Sequence, residues 1–583
     1  MTLTLLDWII IVTYFVVSAG IGVWFARRGG RSVNDFFLPG RSLPWWLAGT
    51  SMVATTFAAD TPLAVAGLVA RNGIAGNWIW WSAASGSMLT VFFFARLWRR
   101  AGIMTDVEFA ELRYTGRPAA ILRGFRALYL GLPINCVIMG WVNLAMAKIL
   151  SVTLGWDQLT AVFISLAITG LYSALAGLWG VVVTDFVQFT FAMIGSVALA
   201  WFALQLPEIG GLGGLAAQVP RGTLDFVPTF SSHAADNAVL IALPLASFLT
   251  YVAVQWWASW YPGQEPGGGG YVAQRMMSAK NERHSLYATL WFTVAHNCLR
   301  PWPWIIVGLV SVVLYPAITD KEAGYAMVMR DHLPAGWRGL LLGAFFAAYM
   351  STISSQLNWG TSYIVNDFYR RFVTRSASER HYVWIARATT MALMVLSGIV
   401  TFYLESIRQA WEFVLESGAG IGLVLILRWY WWRINAWSEI AAMIGAAIGY
   451  TALKVFTNLV FPYTLLAVVA WTTLCWLVVT LTTAAESDEH LVQFYRRTRP
   501  DGPGWTRIAA LAGEPAPGRL RGLLLDWIAG VVLVYAALFA AGNALFGSLG
   551  ATVACLAVIV AAIGVLRLNL AGAFVKYPRD ETG

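Results

Sequence analysis

Residues 44–70 read PWWLAGTSMVATTFAADTPLAVAGLVA. An apolar run of this length crosses a hydrocarbon core of roughly 30 Å as a helix, which needs about 20 residues. Its middle, Ala54 to Pro62, places Thr, Asp and Pro at bilayer depth. Proline removes a backbone donor and clashes with the preceding turn. An aspartate at that depth costs about 3 kcal/mol unless it is paired or faces water. Two readings are open: a kinked helix with a capped Asp60, or a helix interrupted so that free carbonyls can bind a ligand.

On both sides of this stretch the same kind of run recurs along the 583 residues, of which 58% are hydrophobic and 12% charged. A soluble domain carries about 25% charged residues, so the charge deficit excludes a soluble fold. The runs do not alternate as membrane β-strands do, and helices satisfy their own backbone groups in lipid. The chain therefore reads as an all-α polytopic membrane protein with about fifteen transmembrane helices. They lie near 5–26, 44–70, 77–97, 127–152, 157–178, 181–205, 236–261, 285–315, 337–368, 382–404, 408–428, 436–457, 460–484, 521–545 and 547–569. The first run has no basic residue before it and carries Asp7, which points to a retained span rather than a cleaved leader.

Lys and Arg set the orientation. With the N-terminus outside, 29 of the 39 basic residues fall in inside loops, 7 in outside loops and 3 within spans. This asymmetry predicts a multi-pass protein of the inner or plasma membrane with a cytoplasmic C-terminus. It also accounts for the net charge of +9 without nucleic acid. The lipid bilayer is the expected environment, and no obligate protein partner is implied. Cys136, Cys298, Cys475 and Cys555 lie in or beside apolar runs without paired spacing, so they read as small buried hydrophobes. Residues 1–484 form the expected core. Residues 485–520, rich in charge, Pro and Gly, read as a cytoplasmic linker, and 521–583 as a terminal hairpin with a short tail.

A second polar segment is AAYMSTISSQLN, 347–358, where Ala348, Ser351, Thr352 and Ser355 share one helical face at i, i+3, i+4 and i+7. Ser354 flanks that face. Clustered hydroxyls are uncharged hard-oxygen ligands suited to an alkali cation. Small residues also let membrane helices pack closely, and spacing alone leaves both readings open.

Several segments together resemble the sodium:solute symporter family, of the type of bacterial proline, sugar and sialic acid symporters. They are FFLPGRSLPWWLAGTSMVATTFAADTPLAVAG (36–67), ALAGLWGVVVTDFVQ (174–188), YVAQRMMSAKN (271–281) and AAYMSTISSQLN followed by IVNDFYRRF (364–372). The resemblance covers roughly residues 5–484. It implies a leucine-transporter-like fold with two inverted five-helix repeats, opened by the spans at 44–70 and 236–261. It implies sodium-coupled symport of a small organic solute (sugar, amino acid or carboxylate) by alternating access, with sodium as the coupling ion and no cofactor.

The resemblance further implies a main sodium site of backbone carbonyls from Ala54, Phe57 and Ala348 with the hydroxyls of Ser351 and Thr352. A second site carried over from some relatives would use Asp185, Ser351, Ser354 and Ser355. All four positions hold competent ligands, from which two sodium ions per solute are expected. At 100 mV and a tenfold gradient, one ion supplies about 3.7 kcal/mol and two about 7.4 kcal/mol.

Candidate solute contacts are Asp60 and Thr61 beyond the first interruption, Trp256, Trp257, Trp260 and Tyr261 at the end of the 236–261 span, Arg300, and Glu412. Ionisable groups inside spans default to functional hypotheses, and aromatic rings with polar edges can stack on a solute. With 30 Trp in the chain, most serve as interface belts or packing. Rival readings are a proton-coupled carrier using Asp185 or Asp60, a sensor built on the same core, and a membrane enzyme. His284, His296 and His381 form no catalytic spacing, so an enzyme is not expected.

Overall fold

The structure, a computed structural model, describes residues 3–29, 41–103, 105–173, 178–228, 243–260, 265–514 and 517–575. Among the described residues there is no β-strand, and helix dominates throughout. Ten helices are long and apolar enough to cross a membrane, and two bent helix pairs bring the number to twelve among the described residues. Of the other expected spans, 5–26 falls on helix Leu5–Gly29, while 157–178 and 236–261 lie partly outside the described residues, their described parts holding helices Gln158–Ser173 and 245–258.

The 44–70 span is one of the bent pairs: Trp45–Thr55 and Asp60–Asn72 meet at 63°. Pro62 lies in the first turn of the second half. A first-turn proline costs little, because its missing N–H would be unpaired there anyway. The two halves are held by close backbone contacts. A Cβ on Gly49 would stand 2.6 Å from the Ala288 carbonyl oxygen, and one on Gly308 would stand 2.9 Å from the Ala66 Cα. Both contacts join the broken helix to the Glu282–Leu314 helix, the small-residue packing that membrane helices use. The second bent pair, Ile407–Ser417 and Ile421–Tyr430, turns by 51° at Gly418–Gly420. The single span expected at 408–428 is thus two helices, because glycines at the bend let the chain turn where a longer side chain would resist.

The Trp337–Val373 helix carries the hydroxyl face and packs against Leu5–Gly29 and Leu178–Leu204. Its N-terminus is tied to the first span by Asp7. That carboxylate accepts hydrogen bonds from the backbone N–H groups of Gly336 (2.8 Å) and Gly339 (2.9 Å) and pairs with Arg338 at 3.1 Å. A buried acid in the first span is thus a cap for another helix, where the dipole favours negative charge.

The segment expected as a linker is folded. Helices Asp488–Thr498 and Thr506–Ala512 bury Phe494 and Trp505, and the Trp505 indole donates to the Trp429 carbonyl at 2.7 Å. Arg113 lies 5.3 Å from the Phe494 ring centre and 5.2 Å from that of Trp505. Its guanidinium donates to the carbonyls of Arg428, Trp431, Trp432 and Ile434 around the end of the second bent pair. A few aromatic residues set among charges and glycines suffice to dock this segment, which average composition conceals. Beside it, buried Glu439 pairs with Arg126 (3.0 Å) and Arg428 (3.3 Å) and accepts from Tyr114 at 2.7 Å.

Both anchors can be tested by stability. Asp7→Ala strands Arg338 and two N–H groups, and is expected to cost about 3–5 kcal/mol, read as a lowered thermal midpoint in detergent, with Asp7→Asn falling between it and the parent. Trp505→Ala is expected to cost about 3–5 kcal/mol within the docked segment, read as protease cleavage between 486 and 520 that the parent resists.

Candidate sodium and solute sites

The first half-helix ends at Thr55, and the chain then makes a tight turn in which the Phe57 N–H donates to the Ala54 carbonyl at 2.9 Å. The Thr56 hydroxyl donates to the Val53 carbonyl at 2.7 Å, and the Thr61 hydroxyl donates back to the Thr56 carbonyl at 3.3 Å. Backbone oxygens are thus concentrated at the interruption. The Leu178–Leu204 helix packs on both the first half-helix and the Trp337–Val373 helix. Phe189, one turn beyond Asp185, sets its ring 6.2 Å from that of Phe57.

The candidate sodium residues therefore lie on elements that converge. Ala54 and Phe57 are at the interruption, and Ala348, Ser351 and Thr352 are buried on the Trp337–Val373 helix, as is Ser354. Ser355 is half-buried. The Thr352 hydroxyl is buried with no hydrogen-bond partner among the described residues. The Asp185 side chain and Tyr261 lie outside the described residues.

A central cavity opens beside the interruption, and Thr352 is part of its wall. Of the candidate solute residues, the structure brings Asp60, Thr61, Trp256 and Arg300 to this cavity. Asp60 is buried in the first turn of the second half-helix and shares the cavity wall with Trp141 and Arg300. Arg300 is buried and donates to the Val53 carbonyl (3.2 Å) and the Thr56 hydroxyl (2.9 Å).

The other candidates fall elsewhere. Trp411, not Glu412, faces the central cavity. Glu412 lines a second cavity toward the predicted outer side, paired with Arg408 at 2.6 Å and beside the Glu416–Lys454 pair at 3.2 Å. Neighbours on a helix point about 100° apart, so a shift of one residue changes the cavity served. Likewise Trp256 lines the central cavity, while the Trp257 indole donates to Ala253 of its own helix at 2.8 Å. Residues 251–255 just before them form a π turn, which adds a residue per turn and rotates the residues beyond it. Trp260 is buried outside the cavity wall.

Sequence reasoning missed much of the wall. Trp80, Trp141 and Trp411 present indoles, and Gln255, Ser259, Tyr271 and Gln356 present neutral polar groups. The signal for Gln255 and Gln356 was available, since both are amides inside apolar runs. Nothing in the sequence separates Trp80 from its packing neighbours Trp78 and Trp81.

The model of the sodium:solute symporter family matches residues 36–449. A sodium/glucose cotransporter of Vibrio parahaemolyticus is 24% identical, covering 79% of this chain and 87% of its own length. Sodium/glucose cotransporter 4 of Danio rerio is 25% identical (85% of this chain, 82% of its own), and sodium/glucose cotransporter 1 of Oryctolagus cuniculus 26% (76% and 70%). A solved structure of a sodium-coupled sialic acid symporter, substrate-bound and outward-open, superposes with a TM-score of 0.64 at 18% identity. It covers 83% of this chain and 99% of that one, and it shows the leucine-transporter-like fold. An interrupted helix beside a hydroxyl-bearing helix, a cavity between them, and a family match over most of the core lead to one assignment: the chain is a multi-pass membrane protein that belongs to the sodium:solute symporter family.

Proposed function

We propose that this sodium-coupled symporter carries a small, uncharged, polyhydroxylated solute, of the sugar class, through the central cavity. The observation that carries the reading is the shared wall. Thr352, a candidate sodium ligand, and the candidate solute residues Asp60 and Thr61 line one cavity. An ion that orders the first broken helix against the Trp337–Val373 helix therefore also shapes the solute pocket.

The chemistry of the wall supports the solute class. The indoles of Trp80, Trp141, Trp256 and Trp411 offer flat apolar faces with polar edges. Gln255, Ser259, Gln356 and Tyr271 both donate and accept, which matches hydroxyl groups. Asp60 and Arg300 balance in charge, so the wall adds no net charge that a charged solute would have to answer. Relatives named as glucose cotransporters favour the same class.

The main sodium site proposed is the Ala54, Phe57 and Ala348 carbonyls with the Ser351 and Thr352 hydroxyls. A second site, of Asp185, Ser351, Ser354 and Ser355, carries a second ion. The N-terminus faces outside. Sodium joins the two helices and favours the outward-open form, solute then permits closure, and inward opening parts the sodium ligands and releases both cargoes. The buried pairs of Glu439 with Arg126 and Arg428 lie at the end predicted to face the cytoplasm.

In proteoliposomes, an inward sodium gradient is expected to drive uptake of a monosaccharide that an equal potassium gradient does not, with a flux ratio of two sodium ions per solute. Uptake indifferent to the cation would overturn the coupling, and a ratio of one would remove the second site. Thr352→Ala removes a ligand oxygen at the shared wall. It is expected to raise the sodium half-saturation concentration at least about tenfold, the equivalent of about 1.4 kcal/mol, measured by sodium-dependent uptake at saturating solute.

A further inference from the structure

Arg300 was a candidate solute contact, but its bonds turn away from that role. The first half-helix ends with the Val53 carbonyl left without its usual backbone partner, because the Phe57 N–H turns to Ala54, and helix ends of this kind carry partial negative charge. Arg300 Nη1 donates to the Val53 carbonyl at 3.2 Å, and to the Thr56 hydroxyl at 2.9 Å. The Thr56 hydroxyl in turn donates to the Val53 carbonyl at 2.7 Å. Val53 immediately precedes Ala54, and Thr56 immediately precedes Phe57, the two residues whose carbonyls are proposed as sodium ligands.

His296, one turn before Arg300, closes the circuit. Its Nε2 lies 3.4 Å from Arg300 Nη2, and its Nδ1 lies 3.2 Å from the Thr56 hydroxyl oxygen. An arginine only donates, so Nε2 accepts and the ring proton sits on Nδ1. Nδ1–H then donates to Thr56, whose own proton is already committed to Val53. Every proton in this circuit has one consistent place, and the imidazole is neutral. On the far side of the guanidinium, the Trp304 ring centre lies 5.5 Å from it and 5.6 Å from the Phe57 ring. One helix, Glu282–Leu314, thus grips both edges of the interruption.

We infer that Arg300, acting through Thr56 and supported by His296, is a positioning residue for the main sodium site: a covalently attached cation that holds the end of the first half-helix so that the Ala54 and Phe57 carbonyls stay presented to sodium. This rests on the sodium site proposed above. It assigns the circuit to ion affinity rather than to recognition of a solute carboxylate. The solute meets the neutral polar groups and indoles on the rest of the wall.

The test uses the full-length protein in proteoliposomes and measures two quantities separately: sodium half-saturation at saturating solute, and solute half-saturation at saturating sodium. Arg300→Lys keeps the charge but has one nitrogen, so it cannot hold Val53, Thr56 and His296 together as Nη1 and Nη2 of the guanidinium do. Thr56→Val keeps the shape and removes the pivot hydroxyl, so it serves if the Arg300 variant fails to fold. Each is expected to raise sodium half-saturation about fivefold or more. Solute half-saturation should move less than about twofold, because saturating sodium hides a loss confined to the ion site. A rise in solute half-saturation with sodium unchanged would overturn the inference and make Arg300 a solute anchor, as would no change in either. Thr352→Ala separates the two levels. If it weakens sodium while Thr56→Val and Arg300→Lys do not, this inference fails alone. If Thr352→Ala is also silent, the sodium site itself is misplaced.

Discussion

The interruption at Thr56–Ala59, between two half-helices bent by 63°, is the constraint around which the rest of the structure is arranged. Breaking a helix at bilayer depth exposes carbonyls on one side and N–H groups on the other, and lipid offers neither any partner. The structure answers with opposite charges at opposite ends. Asp60 sits in the first turn of the second half, while Arg300 covers the end of the first. Each charge faces the helix pole that favours it. Two ionisable side chains are thereby held at bilayer depth without net charge.

This arrangement depends on helices that cannot drift. The close contacts at Gly49 and Gly308 lock both halves onto the Glu282–Leu314 helix, which is the same helix that supplies His296, Arg300 and Trp304. On the other side, the Trp337–Val373 helix meets the first half and the cavity, and Asp7 secures its start. The wall of the cavity is therefore built from one tightly packed pair and one separately anchored helix. That division permits relative movement, because a shared ligand can bias it from either side. By linkage, sodium must tighten solute binding by the factor that solute tightens sodium.

The two ends of the passage differ. At the end predicted to face the cytoplasm, Arg126, Arg428 and Glu439 form buried pairs, and the docked 488–512 segment covers the exit of the second bent pair. Arg113 joins the two by spanning four backbone carbonyls and two aromatic rings. At the other end, Arg408–Glu412 and Glu416–Lys454 line a second cavity, where Arg408, Glu412 and Lys454 are partly exposed and Glu416 is buried. Breaking a buried pair is costly, whereas a partly exposed one such as Arg408–Glu412 contributes little, so the electrostatics hold the end predicted to face the cytoplasm more firmly.

The order of the spans, the all-helical class and the likeness to a sodium-coupled family were legible in the sequence, because hydropathy over about 20 residues reports bilayer crossing and short motifs survive in order. So was the place of a kink or interruption, from Asp60 and Pro62 in one apolar run, though the choice between the two needed the structure. What the sequence could not assign was direction. Trp411 and Glu412, or Trp256 and Trp257, are adjacent in the chain yet serve different surroundings, since one residue is about 100° of helix and a π turn shifts the count. The role of Arg300 was likewise undecided. A buried cation in a span can meet a solute or a helix end, and only the placement of Val53, Thr56 and His296 around it distinguishes the two. The sequence by itself determined that this chain crosses the membrane as helices and where one of them kinks or breaks. Tertiary structure alone decided which side chains face the break, because facing is a relation between helices far apart in the chain and no single helix encodes it.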